Sequence, residues 1–319
     1  MTQRENRYIN VLTDYGFKKV FGDKEVMTAF LTDLLQPKSP IQDITFLDKE
    51  HDGMAEYERG VIYDLLCQTE DGEEFIVEMQ NRNQAQFSDR IIYYLSRSFS
   101  SQGEKGNVAW DFRLKPVYGI FFLNFHLKGF EQRTVRTVQL KVEETGELFS
   151  DRLKVFTLEL PNYRKMKEED CKTRIDYWLY NITNLETMTT NIPFQQQQPA
   201  FKKVGNIAEL VRMTPEELKQ YNISIDSYRT NLSVMKNERA EGIAEGLAKG
   251  LAKGRAEGRA EGRAEGRAEG RAEGRAEEKA KAIAEKMEIA RQFLATGIPI
   301  DQISSIMKLP ISEILALRP

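Results

Sequence analysis

The chain has 319 residues, of which 30% are charged and 40% hydrophobic, and its formal net charge is −3. That length can bury a sizeable core, and no apolar run reaches the roughly 18 residues of a membrane helix. Two histidines and two cysteines in the whole chain exclude a His/Cys zinc cluster. With so little net charge, any polynucleotide site has to be built locally. The opening MTQRENRYIN has no apolar signal core, so a cytoplasmic protein with reduced Cys67 and Cys171 is expected. Neither GxGxxG nor GxxxxGK[ST] occurs, and neither His51 nor His126 accompanies a nucleophile motif. For an enzyme, that leaves carboxylate chemistry with a hard metal ion.

In chain order, Asp23 is a candidate N-cap for a helix whose apolar residues Val26, Met27, Phe30, Leu31, Leu34 and Leu35 recur at helical spacing up to Pro37. Candidate strands follow at Ile41–Leu47, Val61–Gln68 and Glu74–Gln80, the last two flanking Thr69-Glu70-Asp71-Gly72. Gln84–Ser98 reads as a helix with Phe87, Ile91, Tyr94 and Leu95 on one stripe. Pro116–Phe125 is apolar on both faces, as a central strand of a covered sheet would be. Thr134–Val142 and Leu153–Leu160 are further strands. Ile175–Leu185 and Lys203–Val211 are helices, and Pro215–Tyr221 adds another turn or two. This order predicts an α/β or α+β fold with a mixed sheet over residues 1–235, α/β being favoured.

From Arg239 the chain becomes ten tetrads of the type RAEG, nine of which end in glycine. Alanine, glutamate and arginine favour helix, whereas each glycine costs about 1 kcal/mol relative to alanine. Residues 236–278 are therefore expected to be a solvated helical spacer, fraying in isolation, with a GxxxG-like self-association stripe as the alternative. Residues 279–319 return to amphipathic helices: Ile283, Met287, Ala290, Phe293 and Leu294, a stop at Gly297, then IDQISSIMKL and SEILAL. Their spacing resembles a helix-turn-helix. Only Lys308 and Arg318 are basic after Arg291, so packing or self-association is favoured over DNA contact.

The chemistry concentrates at Val61–Gln80. Asp64 interrupts an apolar strand, an expensive place for a carboxylate without a partner. Glu78 and Gln80, two apart, share a face of the next strand. A three-residue loop Glu70-Asp71-Gly72, with Gly72 left-handed, pairs Thr69 with Glu73 and sets Asp64 opposite Glu78. A two-residue Asp71-Gly72 turn instead pairs Asp64 with Met79 and sends Glu78 to the other face. In the first register the Cβ atoms of the two acids are roughly 4.5–5.5 Å apart, and a divalent cation between them would remove their repulsion. That layout suits metal-assisted phosphodiester hydrolysis.

Asp64 followed by Glu78-Met79-Gln80 resembles the D-x(n)-[DE]-x-K signature of PD-(D/E)XK nucleases. The opening Thr13–Gly22 (TDYGFKKVFG) and Phe87-x-x-Arg90-x-x-x-Tyr94 are similar to the Rpn family of recombination-promoting nucleases, also described as transposases. The resemblance covers roughly residues 7–235. It implies a restriction-endonuclease-like core, with a mixed central sheet flanked by helices, and Mg²⁺-dependent cleavage of DNA (another divalent cation would serve the same ligands). By position, Asp64 and Glu78 are the metal ligands, Gln80 stands where the family has lysine, and Asp14 is the acid of the first helix. Tyr94 and Arg90 belong to the family-like segment. Glutamine brings no positive charge, so either the metal carries more of the load or Lys18, Lys19, Arg82 or Arg90 substitutes. The alternative is a weak or inactive nuclease fold that binds DNA or a protein.

Overall fold

The computed structural model describes residues 6–48, 50–51, 61–84, 86–103, 111, 113–131 and 133–317. Helix α1 (Asp14–Phe21) is capped by Thr13, whose hydroxyl accepts from the Gly16 amide. Helix α2 (Lys24–Leu35) is capped, as expected, by Asp23. A six-stranded sheet follows, made of β1 (Ile44–Phe46), β4 (Leu65–Thr69), β5 (Glu74–Gln80), β6 (Val117–Leu123), β7 (Val135–Lys141) and β8 (Leu148–Glu159). Its order is β1-β4-β5-β6-β8-β7. β5, β6 and β8 run parallel, while β1, β4 and β7 join antiparallel. β2 (Glu50–His51) and β3 (Val61–Ile62) form a separate two-stranded ladder. The sheet is mixed and flanked by helices, as the α/β expectation requires.

Both faces of the sheet are covered, and alternation along β5 shows how. Phe75, Val77 and Met79 enter one apolar cluster with α1, α2, α4 (Arg174–Asn184) and α5 (Ala200–Ala208). Ile76 enters the other, beneath Phe87, Ile91 and Leu95 of α3 (Phe87–Ser101). The first cluster centres on Phe122, whose ring lies 5.4, 5.2 and 5.2 Å from those of Phe17, Phe21 and Phe30. α1 and α3 are thereby fixed on opposite sides of the β4–β5 hairpin. Cys67 and Cys171 are both buried free thiols.

Several boundaries differ from the sequence expectation. The strand expected over Val61–Gln68 is broken at Tyr63-Asp64, between β3 and β4. The Asp64 carboxylate takes a backbone amide of the neighbouring strand, which supplants a regular ladder pair there. α3 begins at Phe87 rather than Gln84 and extends to Ser101, and β8 begins at Leu148 rather than Leu153. The helix expected over Lys203–Val211 is α5, which starts earlier and ends at Ala208, where a short 3₁₀ turn begins at Leu210.

The turn or two expected at Pro215–Tyr221, the tetrad repeat and the helix through Leu294 are one helix, α6 (Pro215–Ala295). None of the repeat glycines has positive φ, and no proline interrupts the run, so their propensity cost lowers stability without imposing a break. Compact packing divides the chain into Met1–Leu232 and Ser233–Pro319. In the second unit the repeat is solvent-exposed. Beyond it, Ala290 packs with Ile303 of α7 (Ile300–Met307), Leu309, and Ile314 of α8 (Ile311–Leu315). Gly297, at φ +84°, ends α6 as expected, and the Ile298 amide donates back to Phe293 O at 3.2 Å. Among the described residues no helix is long and apolar enough to cross a membrane.

Candidate functional site

The hairpin turn decides which acids can meet. The Thr69 amide donates to Glu73 O at 3.0 Å, and the Gly72 amide donates to Thr69 O at 2.9 Å with Gly72 at φ +83°. Three residues therefore make the loop, and β4 pairs Leu65 with Val77 and Gln68 with Glu74. The same register carried one step beyond Leu65 brings Asp64 to Glu78. There the side chains take over from the ladder: the Asp64 amide approaches Glu78 Oε1 at 3.4 Å, and the Met79 amide donates to Asp64 Oδ2 at 2.9 Å. The two carboxylates stand at one corner of the hairpin, Glu78 tied to the Asp64 amide and Asp64 to the amide of Met79, the residue after Glu78.

Their electrostatics follow from burial. The Glu78 side chain is 4% exposed and that of Asp64 26%. Desolvation, followed by the Asp64 charge, pushes the Glu78 carboxyl up to about 7, against the partial offset of Arg90. Burial also raises Asp64, although the Met79 amide and Lys18 act against it. The corner therefore carries its negative charge at a desolvation cost that the nearby cations offset only in part.

Two cations reach it from opposite sides of the sheet. From α1, Lys18 Nζ lies 3.8 Å from Asp64 Oδ1 and 2.5 Å from Asp14 Oδ1, so Asp14 joins the corner through the lysine. From α3, Arg90 Nη2 lies 3.4 Å from Glu78 Oε2. Gln84 Oε1 accepts from Arg90 Nη1 at 2.8 Å, and the guanidinium lies 5.3 Å from the Tyr94 ring centroid. Gln80, 7% exposed, donates from Nε2 to Glu78 Oε2 at 2.7 Å. Lys19 is turned away from the corner and bonds Glu217 at 2.5 Å.

Sequence reasoning missed Gln84, which holds Arg90, and Tyr63, which donates to the Tyr94 carbonyl at 3.1 Å and meets that ring edge-on. It also missed the Met79 amide. The polar spacing of Gln84 six residues before Arg90 carries no periodic signal, and a backbone donor carries none at all.

Among the described residues, no cluster of three or more His, Cys, Asp or Glu side chains surrounds a common metal position. The donor set is instead one buried and one half-buried carboxylate, Glu78 and Asp64, whose charge burial makes costly. This suits a hard divalent ion of the Mg²⁺ kind, which takes one or two protein carboxylates and completes its shell with water and substrate phosphate.

A family model described as PD-(D/E)XK nuclease family transposase matches residues 11–238. Comparison with curated proteins and with solved structures returned no match. The matched span holds the six-stranded mixed sheet, α1, α3 and the Asp64–Glu78 corner. Sheet, flanking helices and family model agree, and the chain belongs to the PD-(D/E)XK nuclease family transposases.

Proposed function

We propose that this protein is a divalent-metal-dependent DNA endonuclease of the Rpn recombination-promoting type, working with Mg²⁺ in the cytoplasm. The observation that carries this reading is the pair of carboxylates, Asp64 half-buried and Glu78 buried, linked through backbone amides at the end of the hairpin, where burial makes their charge costly. Asp64 and Glu78 hold the ion. When bound, such an ion polarises a phosphoryl oxygen and acidifies water. Arg90 and Lys18, one on each side, orient the scissile phosphate and offset the charge that grows on it. Asp14 keeps Lys18 extended toward the corner, and Tyr94 supports the Arg90 guanidinium. Gln80 occupies the family's lysine position as a neutral donor that holds the Glu78 carboxylate in place.

One observation favours a second reading, a weak or inactive nuclease fold that binds DNA or a protein. Glu78 Oε2 already accepts from both Gln80 and Arg90, and both compete with a metal ion for it.

The deciding experiment is plasmid nicking with and without Mg²⁺, comparing wild type with Asp64→Ala. Wild type should nick only with the ion, and the variant should lose at least about a hundredfold in rate, the scale of losing a main transition-state contact. Its apo melting temperature should change little, because the repulsion from Glu78 that is removed offsets the lost Met79 amide bond. Equal nicking by the variant, or activity in excess EDTA, would overturn the reading. A wild type that binds DNA but does not nick selects the second one.

A further inference from the structure

The Asp64–Glu78 corner is one end of a longer polar edge. Across the parallel strands Gln80, Leu123 and Glu159 are register partners. Partners in a parallel sheet point to the same face, so Glu159 shares a face with Glu78 and Gln80. At about 4.8 Å per strand it lies roughly 10 Å from Gln80. Glu159 is 1% exposed, and both of its oxygens are engaged. Oε1 accepts from Arg136 Nη1 at 3.1 Å, and Oε2 lies 2.8 Å from His126 Nδ1. Arg136 is held further by the Glu131 carbonyl at 2.6 Å and by Thr157 Oγ1 at 3.4 Å. The exposed His126 ring is thus tied by Nδ1, and Nε2 is the nitrogen left for a ligand.

Beside it, at the end of β6, Asn124 donates to Asn81 Oδ1 at 2.9 Å and contacts the Tyr228 hydroxyl at 3.2 Å. Its own Oδ1 accepts from the exposed Arg164. Asn81, next to Gln80, is anchored in turn on the Leu12 carbonyl at 2.8 Å. A bonded row therefore runs along the carboxyl ends of β5 and β6 to Arg164. His126 and Glu159 stand at the same end of the sheet, where open α/β sheets take their ligands. A buried carboxylate is costly unless well paired. Here it is kept with both oxygens fixing basic side chains at the rim.

We propose that Arg164 and His126 contact phosphates of the DNA strand about three nucleotides from the scissile one, on the β8 side, at 3.4 Å rise per nucleotide. Asn124 and Glu159 are their positioning residues. This rests on the nuclease reading above.

The test measures binding of full-length protein to a labelled DNA duplex in EDTA across a salt series. Arg164→Gln keeps a donor for Asn124, and His126→Gln keeps one for Glu159. Lys24→Gln, on α2 and paired with Asp43, is the control. Arg164→Gln should lower the salt slope by about 0.9, His126→Gln should weaken binding roughly threefold, and Lys24→Gln should change neither. Arg164→Lys should restore the slope, which a merely structural role would not require. Unchanged slope and affinity in both rim variants, or an equal loss in Lys24→Gln, would overturn the proposal while leaving a wild type that binds and nicks. A wild type that neither binds nor nicks removes the nuclease reading and this proposal with it.

Discussion

At the Asp64–Glu78 corner two carboxylates lie largely out of water, whereas every residue of the repeat from Arg239 to Glu278 is exposed. The repeat is far richer in charge, yet its ion pairs, such as Lys249–Glu245 at 2.6 Å, sit in solvent. Pairs of that kind are worth about 0.3–0.5 kcal/mol. At the corner, burial and then the neighbouring Asp64 charge are enough to move the Glu78 carboxyl from its ordinary value to about 7. Dielectric surroundings, more than the number of charged residues, decide where charge becomes chemistry.

The sharpest way to separate the two regions is to damage the core that supports the corner. Phe122 is 0% exposed and touches three other phenylalanines. Phe122→Ala should destabilise the nuclease unit by about 3–5 kcal/mol. Chemical denaturation followed by the fluorescence of Trp178, which is part of the same cluster, would show it. The helicity of the repeat, read by circular dichroism at 222 nm, should outlast that transition. If both signals collapse together at the lowered midpoint, the two regions fold as one.

Titration gives the next effect. The unfolded chain releases the Glu78 proton near its ordinary 4.5, and the folded metal-free chain near 7. The stability this group contributes is complete below pH 4.5 and is lost as pH rises through about 7, a change on the order of 3 kcal/mol. The raised Asp64 carboxyl acts in the same direction. Glu78→Gln should flatten that part of the profile, so the difference between the two proteins isolates the contribution from other carboxylates. Parallel profiles for wild type and Glu78→Gln between pH 4.5 and 7.5 would mean that the corner is better solvated than its geometry indicates.

The smallest effect belongs to the repeat. A Cβ added at Gly258 or Gly262 would meet nothing within 4 Å. Each Gly→Ala change there should stabilise the helix by about 1 kcal/mol and raise ellipticity, without altering nicking. A variant with lower helicity or a changed oligomeric state would reveal that the glycine face is occupied by a partner.

How much was legible in the sequence differed between the same two regions. Gly72, after two polar residues and between alternating strands, made the hairpin legible but suited a two- or a three-residue loop, and it is the Gly72–Thr69 and Thr69–Glu73 bonds that select the loop bringing Asp64 to Glu78. The break at Tyr63-Asp64 was not legible, because an amide exchanged between side chain and backbone leaves no periodic trace. α6 was divided into three by its changes of texture, although helix continuity depends on the absence of a breaker rather than on one sustained pattern. The start of β8 at Leu148 was missed because Leu148 and Phe149 are exposed and Asp151-Arg152 reads as loop. The contacts of Glu159 with Arg136 and His126 join three segments far apart in the chain, and no local window contains them.

The bond from the Met79 amide to Asp64 Oδ2 has a consequence for how occupancy of the corner can be read. The carboxylate that would face a cation also holds a backbone proton of the central sheet. An ion drawing on Asp64 changes the strength of that bond, and hence the rate at which this one amide trades its proton for deuterium. The corner thus carries its own reporter in the main chain, sensitive to the arrival of an ion before any phosphodiester bond is cut.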